Sequence, residues 1–102
     1  MKLINKNLII EFYEKNRDSK VALERWVNLI EQINCHSWHE LKQIFNSVDN
    51  VGNDHYVFNI KGNNYRLIAV IFFQLQTVNI RKICNHNDYD NIKPKPKAIS
   101  EL

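Results

Sequence analysis

The sequence predicts an α+β domain in which N-terminal helices pack on one face of a small, mainly antiparallel sheet. Through the first half, apolar residues recur at three- and four-residue steps, the period of a helix with one buried face. From His55 onward they gather instead into short β-branched and aromatic runs separated by turn residues. The connections between these runs are too short for crossovers, so neighbouring strands must be antiparallel. A chain of 102 residues fits one domain, and 44% hydrophobic residues can build a self-standing core without staples.

Taken in order, residues 5–16 place Leu8, Ile9, Phe12 and Tyr13 on one helical stripe, with Lys6, Asn7, Glu11 and Glu14 elsewhere. Asp18 or Ser19 is the expected N-cap of a second helix reaching about Asn34, along which Leu23, Trp26, Val27, Ile30 and Ile33 recur. Ser37-Trp38-His39-Glu40 matches a capping box and opens a short third helix ending near Asn46. Ser47, Asp49, Asn50, Gly52, Asn53 and Asp54 then read as a loop. Three strands follow, at His55–Ile60, Asn64–Phe73 and Thr77–Cys84, joined by Lys61-Gly62-Asn63 and Gln74-Leu75-Gln76.

The second of these strands is apolar on both faces, with Leu67, Ala69, Ile71 and Phe73 on one side and Ile68, Val70 and Phe72 on the other. One face receives the helices. The other must be covered by the N-terminal segment, the C-terminal tail or a partner, because a bare patch of that size invites aggregation. The stretch Lys93-Pro94-Lys95-Pro96-Lys97 reads as an extended, solvated, basic arm.

Charge is unevenly distributed. Residues 1–54 carry seven basic and eight acidic side chains, whereas residues 55–102 carry seven basic and three acidic, so the excess of +4 in the second half marks the strands as the face for a polyanion. The longest apolar run, Leu67–Phe73, is far short of the ~20 residues a bilayer helix needs. The first six residues lack the apolar core of a secretory signal, which leads to the expectation of a cytoplasmic protein with Cys35 and Cys84 as free thiols.

Two constellations could carry chemistry. Cys35-His36-x-x-His39 has metal-ligand residue types, but a structural zinc needs four ligands and only distant His55, His86 or Cys84 could complete it. A small core cysteine beside a helix start is the simpler expectation, with no metal and no cofactor. The second constellation is Arg66, Arg81, Lys82, His86 and Tyr89 with Asp88 and Asp90. RNA cleavage needs no metal where protein groups polarise the 2′-hydroxyl, stabilise the charge growing on the phosphorane and protonate the leaving 5′ oxygen. Arginine offers a planar fork to phosphate oxygens, and histidine and tyrosine can relay protons.

The run Tyr56-Val57-Phe58-Asn59-Ile60-Lys61-Gly62-Asn63-Asn64-Tyr65-Arg66-Leu67, preceded by Asp49-Asn50 and followed by Ile80-Arg81 and His86-x-x-Tyr89-Asp90, resembles the HigB toxin family of the RelE-like superfamily. The resemblance spans about residues 1–92, read as the toxin domain, and leaves 93–102 as a basic flexible tail. It implies a RelE-like fold and the toxin of a type II toxin–antitoxin system: an endoribonuclease cutting mRNA, usually on the ribosome. Its partner would be a HigA-type helix-turn-helix antitoxin, through which alone it would meet DNA; no membrane partner is implied. Carried onto this sequence, Arg66, Arg81, His86 and Tyr89 become the expected catalytic residues. Asn59, Lys61, Asn63 and Lys82 become the expected RNA contacts, and Asp90 an orienting carboxylate. A non-catalytic RNA- or protein-binding module with the same shell is the alternative.

Overall fold

The computed structural model describes residues 1–92 and 97–102. The helical stripe expected at the start of the chain forms α1, Asn7–Lys15, with Ile9 fully buried and Leu8, Phe12 and Tyr13 partly so. The longer repeat forms α2, Lys20–Gln32, which buries Leu23, Trp26, Val27 and Ile30. The linker between them does not cap α2 as expected. Ser19 already has helical backbone angles, so its hydroxyl donates back to the Asn16 carbonyl at 2.6 Å instead of accepting from the helix. Half of the expected capping box forms at α3, Trp38–Ile44: the Ser37 hydroxyl accepts from the Glu40 amide at 3.2 Å, but the Glu40 carboxylate accepts from the His36 amide, one residue before the cap, instead of from the cap amide.

Among the described residues five strands complete the fold, two more than the sequence predicts. They are β1, Lys2–Ile4; β2, Asp49–Gly52; β3, His55–Ile60; β4, Tyr65–Phe72; and β5, Thr77–Asn85, in the order β1-β5-β4-β3-β2. β2 to β5 form an antiparallel meander, and β1 adds in parallel to β5 from Thr77 to Asn79. β2 has the composition of a loop, and its strand conformation comes from pairing with β3 rather than from propensity. The connection between them is a two-residue turn in which Asn53 and Asp54 both have positive φ, 52° and 60°, the backbone that matches strand twist in tight hairpins. Two short helices close the chain: α4, His86–Asp90, and α5, Lys97–Ser100.

The helices cover the sheet face bearing Phe58, Leu67, Ala69, Ile71 and Ile80, where Trp26 and Phe45 each meet Phe58 edge-on with ring centroids 5.1 Å apart. The opposite face is covered by the C-terminal segment. Ile99 of α5 is completely buried against Val57 and Ile68, with Tyr89, Ile92, Val51 and Leu102 around them. Residues 97–102 are therefore not part of a free arm, because the apolar face of β4 takes Ile99 out of water, a gain of about 2 kcal/mol for a side chain of that size. The remainder of the expected tail, 93–96, lies outside the described residues. Phe72, at the far end of the same face, stays 44% exposed.

Candidate active site

β4 and α4 meet at one end of the sheet. The residue after β5 turns directly into α4 because Asn85 caps it: the Asn85 side chain accepts from the Asp88 amide at 2.7 Å, while the His86 amide donates to the Asn64 carbonyl at 2.9 Å. This second bond ties the start of α4 to the hairpin just before β4. One turn of helix then presents His86, Tyr89 and Asp90 beside Arg66, the second residue of β4.

Arg66 is held on several sides. Its Nη1 donates to the Asn63 carbonyl and lies 3.4 Å from the Tyr65 carbonyl, and its guanidinium carbon stands 5.2 Å from the centroid of the Tyr89 ring. Nη2 lies 3.5 Å from Nδ1 of His86. The other ring nitrogen of His86, Nε2, is 3.0 Å from a carboxylate oxygen of Asp90. Asp90 accepts a hydrogen bond from Nε2–H, so in the neutral ring Nδ1 carries the lone pair, which is turned toward Nη2 of the arginine. The Tyr89 phenol is shifted upward, chiefly by its burial against the sheet and next by the negative charge of Asp49, with Arg66 opposing. It is thus a neutral hydroxyl at physiological pH.

An open pocket of about 290 Å³ adjoins His86, lined by Asp18, Asn64, Tyr65, Asn85 and Asn87. Its wall is braced by a hydrogen bond of 2.5 Å from the Tyr65 hydroxyl to Asp18, whose other oxygen pairs with Lys61 at 3.0 Å. The Tyr65 bond and then Lys61 hold the Asp18 carboxyl below the usual carboxylate range, and the same bond pushes the Tyr65 phenol up. Phe12 meets the Tyr65 ring edge-on, at 5.5 Å between centroids, so α1 buttresses this wall from behind.

Four of the nine expected site residues therefore converge: Arg66, His86, Tyr89 and Asp90. Asn63 joins them through its backbone carbonyl. Lys61 sits across the pocket in its pair with Asp18. Asn59 is the register partner of Arg66 on β3 but lines a separate hollow of about 200 Å³ with Arg25, Trp26 and Phe45. Arg81 occupies the extra position of a β-bulge, since Ala69 pairs with Ile80 and Ile68 with Lys82. Its Nε donates to the Leu102 carbonyl at 2.8 Å, and its Nη2 bonds the same oxygen. Lys82 is exposed beside it.

Sequence reasoning passed over Asp18, Tyr65, Asn85 and Asn87 as site residues. Asn85 carried a readable signal, an Asn followed three residues later by an Asp, which is a helix start. Asp18 carried none, because its partners lie more than forty residues away. Among the described residues, no group of three or more His, Cys, Asp or Glu side chains is placed to hold a metal ion. Cys35 is buried, with its thiol donating to the Ser37 carbonyl at 3.4 Å and pushed upward by that burial. No helix among the described residues is long and apolar enough to cross a membrane.

Residues 19–92 match a family described as HigB_toxin, the RelE-like toxic component of a toxin–antitoxin system. The chain is 35% identical over 92 residues, 88% of each chain, to the mRNA interferase toxin HigB of Escherichia coli strain K12 and to the mRNA interferase HigB of Shigella flexneri. A second Escherichia coli relative, from serotype O6:H1 and also named mRNA interferase HigB, is 30% identical over 94 residues, 90% of this chain and 91% of its own.

Proposed function

Because this chain belongs to the HigB toxin family, the RelE-like toxic components of toxin–antitoxin systems, we propose that it is an endoribonuclease that cuts messenger RNA. The observation that carries the chemistry is the contact of one guanidinium with both a histidine and a tyrosine: Arg66 reaches Nδ1 of His86 and lies over the ring of Tyr89.

The reaction this arrangement supports is attack of a ribose 2′-hydroxyl on the adjacent phosphorus. As Arg66 turns from His86 to the phosphate, His86 Nδ1 takes the 2′ proton, with Asp90 holding the ring in the tautomer that leaves that nitrogen unprotonated. Arg66 donates to the non-bridging oxygens, where charge rises most in the transition state. Tyr89, neutral at physiological pH, gives its proton to the departing 5′ oxygen as the phosphorus–oxygen bond breaks. The products are a 2′,3′-cyclic phosphate and a 5′-hydroxyl end. Every step is completed by side chains of this protein.

Flanking nucleotides run over the basic side chains outside the cluster. Lys61, Lys82 and Arg81 take phosphates beyond the scissile one, and Asn59 and Asn63 add amide contacts. The substrate is the message on a ribosome in the cytoplasm, and the antidote is a HigA-type helix-turn-helix antitoxin. Cleavage of a defined message on translating ribosomes, compared among wild type, Arg66→Ala, His86→Ala and Tyr89→Ala, tests the site. Strong loss in the three variants is the expected result. Undiminished cleavage in all of them overturns the assignment.

A further inference from the structure

We propose that Asp18 is a positioning residue for the cleavage reaction: from the turn between α1 and α2 it clamps the hairpin that joins β3 to β4, and the carbonyls of that hairpin hold Arg66 and His86. The proposal rests on the nuclease reading above and extends its machinery to a residue on the helical side of the fold.

Packing does not hold this hairpin. Lys61, Gly62, Asn63 and Asn64 are all exposed, and a side chain added at Gly62 would meet only open space. The backbone is strained where the turn begins, because Lys61 adopts a positive φ of 54°, a conformation that suits glycine and disfavours a long side chain. One bond closes the turn, from the Asn64 amide to the Lys61 carbonyl at 3.2 Å. With nothing packed on the tip, whatever fixes its two ends fixes the hairpin.

A single carboxylate grips both ends. One oxygen of Asp18 pairs with the ammonium of Lys61, the first residue of the turn, at 3.0 Å, and the other accepts from the hydroxyl of Tyr65, the residue after the turn, at 2.5 Å. The clamp is itself anchored. Asp18 lies in a single 3-10 turn, Arg17–Ser19, and Ser19 is fully buried and donates to the Asn16 carbonyl through both its hydroxyl, at 2.6 Å, and its amide, at 2.9 Å. Behind the clamp, the Tyr65 ring meets Phe12 of α1 edge-on.

Between the gripped ends stand the two carbonyls on which the reacting groups depend. Nη1 of Arg66 donates to the Asn63 oxygen, and the His86 amide donates to the Asn64 oxygen at 2.9 Å. A shift of the hairpin therefore moves the guanidinium and the imidazole together. Misplacement of reacting groups by about 1 Å can cost about 10²-fold in rate, so a clamp outside the cluster still bears on the chemistry.

The test is single-turnover cleavage of a defined message on translating ribosomes, at a temperature where circular dichroism shows every variant folded. Asp18→Ala should lower the maximal rate by about tenfold or more, with the half-saturating toxin concentration little changed. Asp18→Asn, which still accepts from Tyr65 but loses the ion pair, should fall between Asp18→Ala and wild type. Tyr65→Phe should also be slower, and the double variant Asp18→Ala, Tyr65→Phe no slower than Asp18→Ala alone, because both changes open the same clamp. Hydrogen exchange without RNA reads the coupling directly: the His86 amide should exchange faster in Asp18→Ala, while the amides of α2 keep their wild-type protection. Wild-type maximal rates in Asp18→Ala and Tyr65→Phe overturn the proposal and leave the nuclease reading intact. A lower half-saturating concentration at unchanged rate also overturns it, making Asp18 only a charge that repels RNA. Losses that multiply in the double variant do the same, since they mean two separate roles. Absence of cleavage by the wild type, by contrast, removes the nuclease reading on which the proposal rests.

Discussion

Arg66 ties the candidate site together through the carbonyls of Asn63 and Tyr65, the ring of Tyr89 and Nδ1 of His86. An arginine placed where charge develops contributes about 10²–10³-fold to rate, so Arg66→Ala should lower single-turnover cleavage by about that factor. Arg66→Lys should recover little, since a point charge cannot reproduce the fork. His86→Ala should cost about 10²–10⁴-fold, in the range of a lost general base, and Asp90→Asn less, because the ring remains and only its tautomer is disturbed. Asp18 makes a prediction of a different kind. Its carboxyl is held below the normal range in the folded state, first by Tyr65 and then by Lys61, so its contribution to stability is complete above the ordinary carboxylate pKa and disappears as the pH falls through the lowered folded value. Asp18→Asn should therefore melt at lower temperature than wild type at neutral pH, with the gap closing in acid. A gap that persists unchanged into acid would mean that the carboxylate charge is irrelevant there.

At the scale of elements, the parts that local chemistry specifies were readable. The stripes of α1 and α2, the Ser37 cap of α3 and the three apolar strands all appear where their residue periods place them. Ser37→Ala should cost about 1 kcal/mol in urea unfolding, the usual value of a lost N-cap. The elements that escaped notice are those whose stability comes from elsewhere. β1 has three residues, β2 is made of loop-forming residues, and both exist because a neighbouring strand supplies their hydrogen bonds. α5 is of the same kind, four residues anchored by Ile99 on the far face of β4. Ile99→Ala should destabilise the protein by about 2–5 kcal/mol, as for other fully buried large-to-small changes, and should raise the exposure of Tyr89, which packs in the same cluster. A loss within 0.5 kcal/mol would show that the segment contributes nothing to the fold.

For the whole molecule, the uneven charge seen along the chain becomes an arrangement in space. Of the seven basic side chains after residue 54, Lys61, Arg66, Arg81 and Lys82 lie on β4, β5 and the turn before β4, while the N-terminal helices buttress the sheet from the other face. RNA binding should accordingly weaken steeply with salt, and Lys82→Ala should reduce the slope of log K against log salt by about one unit while lowering affinity evenly across sequences. A slope unaltered by that substitution would remove Lys82 from the RNA path. The sequence by itself determined the fold class and the meander, because periodicity and turn residues are properties of neighbours along the chain, and its ordered motif offered Arg66, His86, Tyr89 and Asp90 as candidates. Only the tertiary structure decided that those four meet, that Asp18 and Tyr65 brace their pocket, that Arg81 is held by Leu102 and that residues 97–102 cover the second face of β4. Each of these depends on contacts across tens of residues, and such contacts form only once burial of apolar surface has brought the strands and helices together.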